Sequence, residues 1–114
     1  MYLHILLEVK IINISYRTKK LEKICQSLKE AQKQLGVKVG KNLILRIKQL
    51  KAFANLQMVP TSLPWRREKL TNYHDRWSIR IDSNFRLEFI ALDINQNLNL
   101  IENIKIVEVS KHYG

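Results

Sequence analysis

The period of the hydrophobic positions changes after residue 16, and this change separates a strand from a helical region. The run Val9–Tyr16 is rich in β-branched residues and predicts a first strand. Over Leu21–Leu35 the apolar residues recur at steps of three and four, which predicts an amphipathic helix. Thr18 is a suitable N-cap for this helix and Gly36 a suitable stop.

A second apolar stripe with helical spacing runs over Val39–Ala54. The segment Gly36–Gly40 joins the two helices, so we expect a helical hairpin that packs against a sheet. Pro60 and Pro64 favour a loop after this hairpin. Strands are then predicted at Arg67–Tyr73, Arg76–Ile81, Phe85–Leu92 and Ile104–Ser110. The pattern indicates an α+β fold, in the order β-α-α-β-β-β-β, with the hairpin on one face of a mainly antiparallel sheet.

Burial decides the pairing register of the two central strands. If Asp82–Asn84 form a three-residue loop, Ile81 lies opposite Phe85 and the large apolar residues share one face. That face holds Trp77, Ile79, Ile81, Phe85, Leu87 and Phe89. The other face holds Ser78, Arg80, Arg86 and Glu88, with Arg80 opposite Arg86. We expect the helices to cover the apolar face and the arginine face to stay open.

Composition indicates one domain and a polyanionic partner. The 114 residues, of which 46% are hydrophobic, are enough for one compact domain over residues 1–114 with one core. The formal net charge is +10, which favours nucleic acid or ribosomes as partners. Residues 1–55 hold twelve Lys or Arg against three acids, and the rest holds eight against seven. The helical half therefore carries most of the excess charge.

Several classes of protein are disfavoured by the sequence. The only cysteine, Cys25, lies on an apolar stripe and is expected to be a buried small hydrophobe, with no internal disulfide. The three histidines have no metal-ligand spacing. Met1–Ile14 is apolar but short, is interrupted by Glu8 and Lys10, and lacks the features of a signal peptide. We therefore expect a cytoplasmic protein with no membrane partner.

Two stretches of sequence resemble a known family. They are Arg76-Trp-Ser-Ile-Arg-Ile81 with Asn84-Phe-Arg-Leu-Glu-Phe89, and the terminal Val109-Ser-Lys-His-Tyr113. Together they resemble the RelE/ParE toxin superfamily, in particular its HigB and YoeB branches, over roughly residues 9–114. The resemblance implies a RelE-like fold and the toxin half of a bacterial type II toxin–antitoxin pair. Those branches are small basic endoribonucleases, or mRNA interferases, that cut messenger RNA in the ribosomal decoding site without a cofactor.

The same resemblance implies a set of site residues. Arg86 matches the arginine of the hairpin motif, and Arg80 matches a basic position of the preceding strand. His112 and Tyr113 match the terminal pair of the YoeB branch, and Glu68 matches a carboxylate of that branch. The sequence departs from the family at residues 71–75, which replace a glycine-rich turn, and in its first seven residues, which precede the usual start.

These residues suit metal-independent RNA cleavage, in which the 2′-hydroxyl attacks the phosphate. Glu68 or His112 could be the base that takes the proton of the 2′-hydroxyl. His112 could be the acid that protonates the departing 5′-oxygen, because imidazole titrates near neutrality. Arg86 and Arg80 would hold the phosphate through planar donors, and Tyr113 could stack on a base. Exposed lysines would bind the ribosomal RNA backbone, and the candidates are Lys19, Lys20, Lys41, Lys48 and Lys51.

Other interpretations of these residues and of the chain remain open. Glu68 could be a surface carboxylate paired with Arg66 or Lys69, and Arg80 could pair with Glu88. A ParE-like inhibitor of DNA gyrase, or a basic RNA-binding module without catalysis, would fit the same charge. The toxin interpretation implies a cognate antitoxin, expected to be of the helix-turn-helix type, in a hetero-oligomeric complex, with ribosome and mRNA as the other partners.

Overall fold

A computed structural model describes residues 10–111 as an α+β fold of three α-helices and one five-stranded sheet. The helices are α1 (Lys19–Gln26), α2 (Leu28–Leu35) and α3 (Val37–Leu50). The strands are β1 (Asn13–Tyr16), β2 (Glu68–Lys69), β3 (Arg76–Arg80), β4 (Phe85–Ala91) and β5 (Asn103–Lys111). The sheet has the order β1-β5-β4-β3-β2, in which β1 runs parallel to β5 and the other pairs are antiparallel. The predicted class and the mainly antiparallel sheet are confirmed.

The helix predicted over Leu21–Leu35 is in fact two helices. Thr18 caps α1 as expected, since its side chain accepts a hydrogen bond from the Leu21 amide. The chain then breaks at Ser27, which has an extended backbone and accepts a hydrogen bond from the Glu30 amide. Ser27 and Glu30 have the spacing of a capping box, which begins a new helix at Leu28. The spacing of the apolar residues continues through this position and therefore does not indicate the break.

The connection between the second and third helices is a single glycine rather than the segment Gly36–Gly40. Gly36 has a φ of 93°, which lets α2 end there and α3 begin one residue later. Gly40 lies within α3, where it faces α2. A Cβ there would lie 2.5 Å from the Gln32 backbone nitrogen, so the two helices can approach this closely only over a glycine.

The edge strands are shorter than predicted. β1 begins at Asn13, and Val9, where the predicted strand starts, lies outside the described residues. β2 has two residues instead of the seven predicted over Arg67–Tyr73, because the Leu70 amide bonds to the Arg76 carbonyl and the chain then turns back. Of the helices between residues 10 and 111, none is both long and apolar enough to cross a bilayer.

The register predicted for the central hairpin is confirmed. Ile79 pairs with Leu87 and Arg80 with Arg86, and the loop Asp82–Asn84 joins the strands. The apolar face of the hairpin lies in the core, where Ile79, Leu87 and Phe89 are fully buried. The core also takes in Cys25, at 2% exposure, as expected. The polar face therefore points away from the helices, and the candidate site lies on it.

Candidate functional site

The candidate site is built around Arg86, on the polar face of β4. This guanidinium is buried, with 6% of the residue exposed, so the expectation of an open arginine face is wrong at this position. Its guanidinium contacts the Arg66 carbonyl, in the irregular segment before β2, and the Glu68 carboxylate, on β2 itself. Arg86 is thus enclosed on the side of the sheet that the helices leave free.

Three groups hold the Arg86 side chain in a fixed orientation. Its Nε donates to the Ser78 hydroxyl at 2.9 Å, and its Nη2 donates to the Arg66 carbonyl at 2.7 Å. Nη2 also lies 3.0 Å from Oε1 of Glu68. Burial lowers the pKa of Arg86 below its ordinary value, and the Glu68 carboxylate opposes that effect. Arginine nevertheless remains charged. Within residues 10–111, Nη1 makes no hydrogen bond and is left for a ligand.

Glu68 lies beside this arginine and is half exposed. Its Oε2 is 4.0 Å from Nη2 of Arg66, while Oε1 contacts Arg86 at the shorter distance of 3.0 Å. Lys69 does not pair with it, since its ammonium donates to the Tyr73 carbonyl. Of the alternatives for Glu68, the pairing with Arg66 occurs, but the stronger contact joins it to Arg86. The two residues predicted for catalysis on different strands are therefore adjacent.

The backbone of residues 65 and 66 is shaped to meet the end of β3. The Trp65 carbonyl accepts a hydrogen bond from the Arg80 amide at 2.7 Å. The next residue, Arg66, has a φ of 44°, in the left-handed region that residues other than glycine seldom adopt. This conformation accompanies the contact between the Arg66 carbonyl and Arg86.

A third arginine, Arg46 of α3, ties the helical layer to this segment. Its Nε donates to the Arg80 carbonyl at 2.9 Å, and its guanidinium lies 5.1 Å from the centroid of the Trp65 ring. A hydrogen bond to Gln49 fixes the remaining orientation. Burial lowers the pKa of Arg46, and the nearby Arg80 charge lowers it further. Arg46, on α3, therefore contacts both the end of β3 and the segment around Trp65.

Arg80 lies directly opposite Arg86 and keeps its side chain unpaired within the described part of the chain. The alternative in which it pairs with Glu88 is wrong, because Glu88 binds Arg76 at 2.9 Å. Arg76 also contacts Glu108 at 3.2 Å, so both of these acids are paired with Arg76 and not with Arg80. The two cations Arg80 and Arg86 therefore lie side by side at one end of the face.

The remaining predicted residues fall into two groups. His112 and Tyr113 lie outside the described residues, and the last described pairs of β5 place Ser110 opposite Arg86 and Lys111 opposite Phe85. The five predicted RNA-binding lysines, Lys19, Lys20, Lys41, Lys48 and Lys51, are all exposed. Lys41 and Lys48 are seven residues apart on α3 and share one side of that helix.

Sequence reasoning missed three contributors to the site. Ser78 could have been found, because the predicted register puts it on the arginine face next to Arg80. Arg46 could not be told apart in the sequence from the other basic residues that lie beside the apolar stripe of its helix. Arg66 could not have been found through its carbonyl, since every residue has one and the positive φ leaves no mark in the sequence.

The arrangement is suited to binding an anion. Arg66 and Arg86 both contact the carboxylate of Glu68, and Arg80 lies opposite Arg86, so these four residues have an excess of two positive charges. A guanidinium that is buried and already oriented loses little freedom on binding, and its charge is poorly screened by water. Between residues 10 and 111, no group of three or more His, Cys, Asp or Glu side chains is placed to hold a metal ion.

Comparison with known proteins shows the fold. No protein-family model and no curated protein matches the chain. The structure of a YoeB dimer from Staphylococcus aureus is similar, with 22% identity and a TM-score of 0.54 over 90% of this chain and 98% of that one. The YoeB/ParE toxin from Agrobacterium tumefaciens is similar with 12% identity and a TM-score of 0.55 over 90% of this chain and 100% of that one. The chain therefore shares the α+β fold of these two toxin structures, as the resemblance of its sequence motifs predicts.

Proposed function

We propose that this protein is the toxin of a type II toxin–antitoxin system and that it cleaves translated mRNA on the ribosome. The observation that carries the proposal is the Arg86 guanidinium, which is held by Ser78 and the Arg66 carbonyl beside the Glu68 carboxylate. A purely structural arginine would saturate its donors, whereas within residues 10–111 neither Nη1 of Arg86 nor the side chain of Arg80 has a partner. The fold shared with YoeB and YoeB/ParE toxins supports the same assignment.

In the proposed reaction the 2′-oxygen of a ribose attacks the adjacent phosphorus, and the bond from phosphorus to the 5′-oxygen breaks. The pentacoordinate intermediate carries more negative charge than the phosphodiester. Arg86 and Arg80 stabilise that extra charge, because planar guanidinium groups donate two hydrogen bonds to phosphate oxygens. The products are a 2′,3′-cyclic phosphate and a 5′-hydroxyl, and no water or metal enters this step.

Two proton transfers accompany the exchange of bonds. Glu68 or His112 takes the proton of the 2′-hydroxyl, and His112 supplies one to the departing 5′-oxygen. Glu68 suits the first task because it is half exposed and accessible to a ribose. When Glu68 is the base, His112 is the acid, and the two transfers need no shared group. Tyr113 stacks on a neighbouring base and orients it.

The partners follow from the same proposal. The ribosomal RNA backbone is bound by exposed lysines, namely Lys19, Lys20, Lys41, Lys48 and Lys51. An antitoxin of the helix-turn-helix type would neutralise the toxin in a hetero-oligomeric complex. Both the ribosome and the message place the activity in the cytoplasm.

A ParE-like inhibitor of DNA gyrase is the second candidate, since one similar structure is described as a YoeB/ParE toxin. That activity needs a binding surface but neither a base nor an acid. The contact between Glu68 and Arg86 favours the nuclease, because a carboxylate beside the principal phosphate ligand would weaken simple binding of an anion.

The test is cleavage of an mRNA in a reconstituted translation system, with and without ribosomes. We expect the wild-type protein to cut the message only when ribosomes are present. Arg86→Ala and His112→Ala should each slow cleavage by about 10²-fold or more. The exposed Arg17 gives a matched control, because Arg17→Ala removes the same charge away from the site and should leave the rate unchanged.

Intact messages in the presence of the wild-type protein would refute the nuclease. Inhibition of supercoiling by purified gyrase, without any RNA cleavage, would support the second candidate instead. Full cleavage by both site variants would show that the activity resides elsewhere in the chain.

A further inference from the structure

We infer that the Arg66 side chain is a substrate-binding group that contacts the RNA backbone directly at the phosphate held by Arg86. The inference rests on the proposed function and adds a residue that the sequence motifs do not mark. Two independent features of Arg66 support it, namely its backbone conformation and the position of its guanidinium.

The first feature is the backbone. With a φ of 44°, Arg66 occupies a region that glycine adopts freely and that other residues adopt at a cost. The contact made by its backbone, from the carbonyl to Arg86, would be available to any residue at this position. A glycine would therefore serve the backbone better, and the presence of an arginine points to a use for its side chain.

The second feature is the side chain. The Arg66 side chain is 52% exposed, and the nearest described partner of its guanidinium is Glu68 at 4.0 Å, which is the limit of an ion pair. The same carboxylate holds Arg86 more closely, at 3.0 Å. Arg66 thus lies at the rim of the cluster with Arg86 inside it, and both reach toward one carboxylate. A phosphate that bound Arg86 in the place of this carboxylate would therefore lie beside Arg66.

The reaction gives this geometry a consequence. When Glu68 accepts the proton of the 2′-hydroxyl, it loses the charge that pairs with Arg66 and Arg86. At the same moment the negative charge on the phosphate rises as the new bond to the 2′-oxygen forms. The guanidinium groups of Arg66 and Arg86 then donate to the phosphate oxygens instead of to the carboxyl group of Glu68, which is now neutral. Arg66 therefore stabilises the pentacoordinate intermediate in addition to binding the RNA.

Three variants separate the side chain from the backbone. Arg66→Gly keeps the left-handed backbone and removes the guanidinium, and Arg66→Lys keeps a charge without the planar donors. Lys69→Ala is the matched control, because it removes one positive charge three residues away. Its side chain leaves β2 on the face opposite to Glu68, as successive strand residues do.

The first measurement is the rate of mRNA cleavage on ribosomes. We expect Arg66→Gly to slow cleavage by roughly tenfold or more, the scale of one charge-assisted hydrogen bond. Arg66→Lys should fall between Arg66→Gly and wild type, and Lys69→Ala should equal wild type. Cleavage by Arg66→Gly at the wild-type rate would overturn the inference and leave the proposed function intact.

The second measurement does not depend on cleavage. Binding of a 2′-O-methyl RNA oligonucleotide, which cannot be cut, is followed as a function of salt concentration. Loss of one phosphate contact should reduce the slope of log affinity against log salt by about 0.7 in Arg66→Gly. Lys69→Ala should leave the slope unchanged. An equal slope in wild type and Arg66→Gly would overturn the inference even if the wild-type protein proved not to be a nuclease.

Discussion

The hydrogen bond from Arg86 to Ser78 gives the sharpest prediction about how the site is built. Ser78 is 1% exposed and its hydroxyl accepts the Nε proton of a buried, charged group at 2.9 Å. Ser78→Ala removes that acceptor and leaves the donor without a partner where water has little access. A hydrogen bond to a charged group contributes about 1.5–3 kcal/mol, so we expect a loss of about 2 kcal/mol in the free energy of unfolding.

The assay is urea unfolding, supported by thermal unfolding. For a chain of this length a loss of about 2 kcal/mol corresponds to a fall in Tm of roughly 8 °C. Ser110→Ala is the matched control. Ser110 lies opposite Arg86 on β5, but no hydrogen bond joins the two side chains. The control should change the free energy of unfolding by less than about 0.5 kcal/mol.

A double-mutant cycle distinguishes this contact from a general effect on β3. Arg86→Met removes the donor and keeps most of the apolar stem. If the two groups interact as described, the loss in the double variant should be smaller than the sum of the single losses by about 1–2 kcal/mol. Additive losses, or a Ser78→Ala variant as stable as the Ser110→Ala variant, would refute the reasoning.

Three further predictions concern the framework around the site. Gly40→Ala should destabilise the protein by more than about 2 kcal/mol in urea unfolding, since its Cβ would lie 2.5 Å from the Gln32 backbone nitrogen; equal stability would contradict this packing. Burial raises the pKa of Cys25 from 9.0 to about 12, so between these values the thiol ionises in the unfolded chain but not in the folded protein. The free energy of unfolding, relative to that of Cys25→Ala, should therefore fall by up to about 1.4 kcal/mol per pH unit as the pH rises from about 9 toward 12. Parallel pH profiles of the two proteins would contradict this prediction. Arg46→Met should lower the free energy of unfolding by about 1 kcal/mol in thermal unfolding, because the hydrogen bond to the Arg80 carbonyl is lost. A variant as stable as wild type would show that this hydrogen bond does not stabilise the fold.

The pairing of the central hairpin could be predicted because a strand has a period of two. A shift of one residue would have moved Ile79 and Leu87 out of the core, so burial allows one register only. That register also places Arg80 opposite Arg86, and the geometry of the site follows from it. The hairpin motif, on which the predicted likeness of fold partly rests, lies on these two strands.

The helical half was harder because its apolar stripe does not reveal interruptions. Leu21–Leu35 keeps its helical spacing through the break at Ser27, which depends on one side-chain hydrogen bond to the Glu30 amide. A closer reading of local capping signals would have found this break. The single-residue connection at Gly36 depends on a positive φ, which the presence of glycine permits but does not require.

The enclosure of Arg86 could not be predicted from the sequence. Its cover is irregular chain around Trp65 and Arg66, which has no periodicity, and it is held in place by Arg46 from another layer. These contacts join residues that are distant along the chain and use backbone carbonyls as acceptors. Local patterns carry no information about such contacts, so the prediction of an open arginine face failed where the segment folds back.

In the proposed function an oriented guanidinium at position 86 holds the phosphate that is cut. The most direct test is the single-turnover rate of mRNA cleavage on purified ribosomes by Arg86→Lys, compared with wild type. Lysine keeps the positive charge but cannot donate to Ser78, the Arg66 carbonyl and a phosphate from one rigid plane. We predict a rate lower by about 10²-fold or more, in a variant that still binds ribosomes. Cleavage by Arg86→Lys at the wild-type rate would contradict the account.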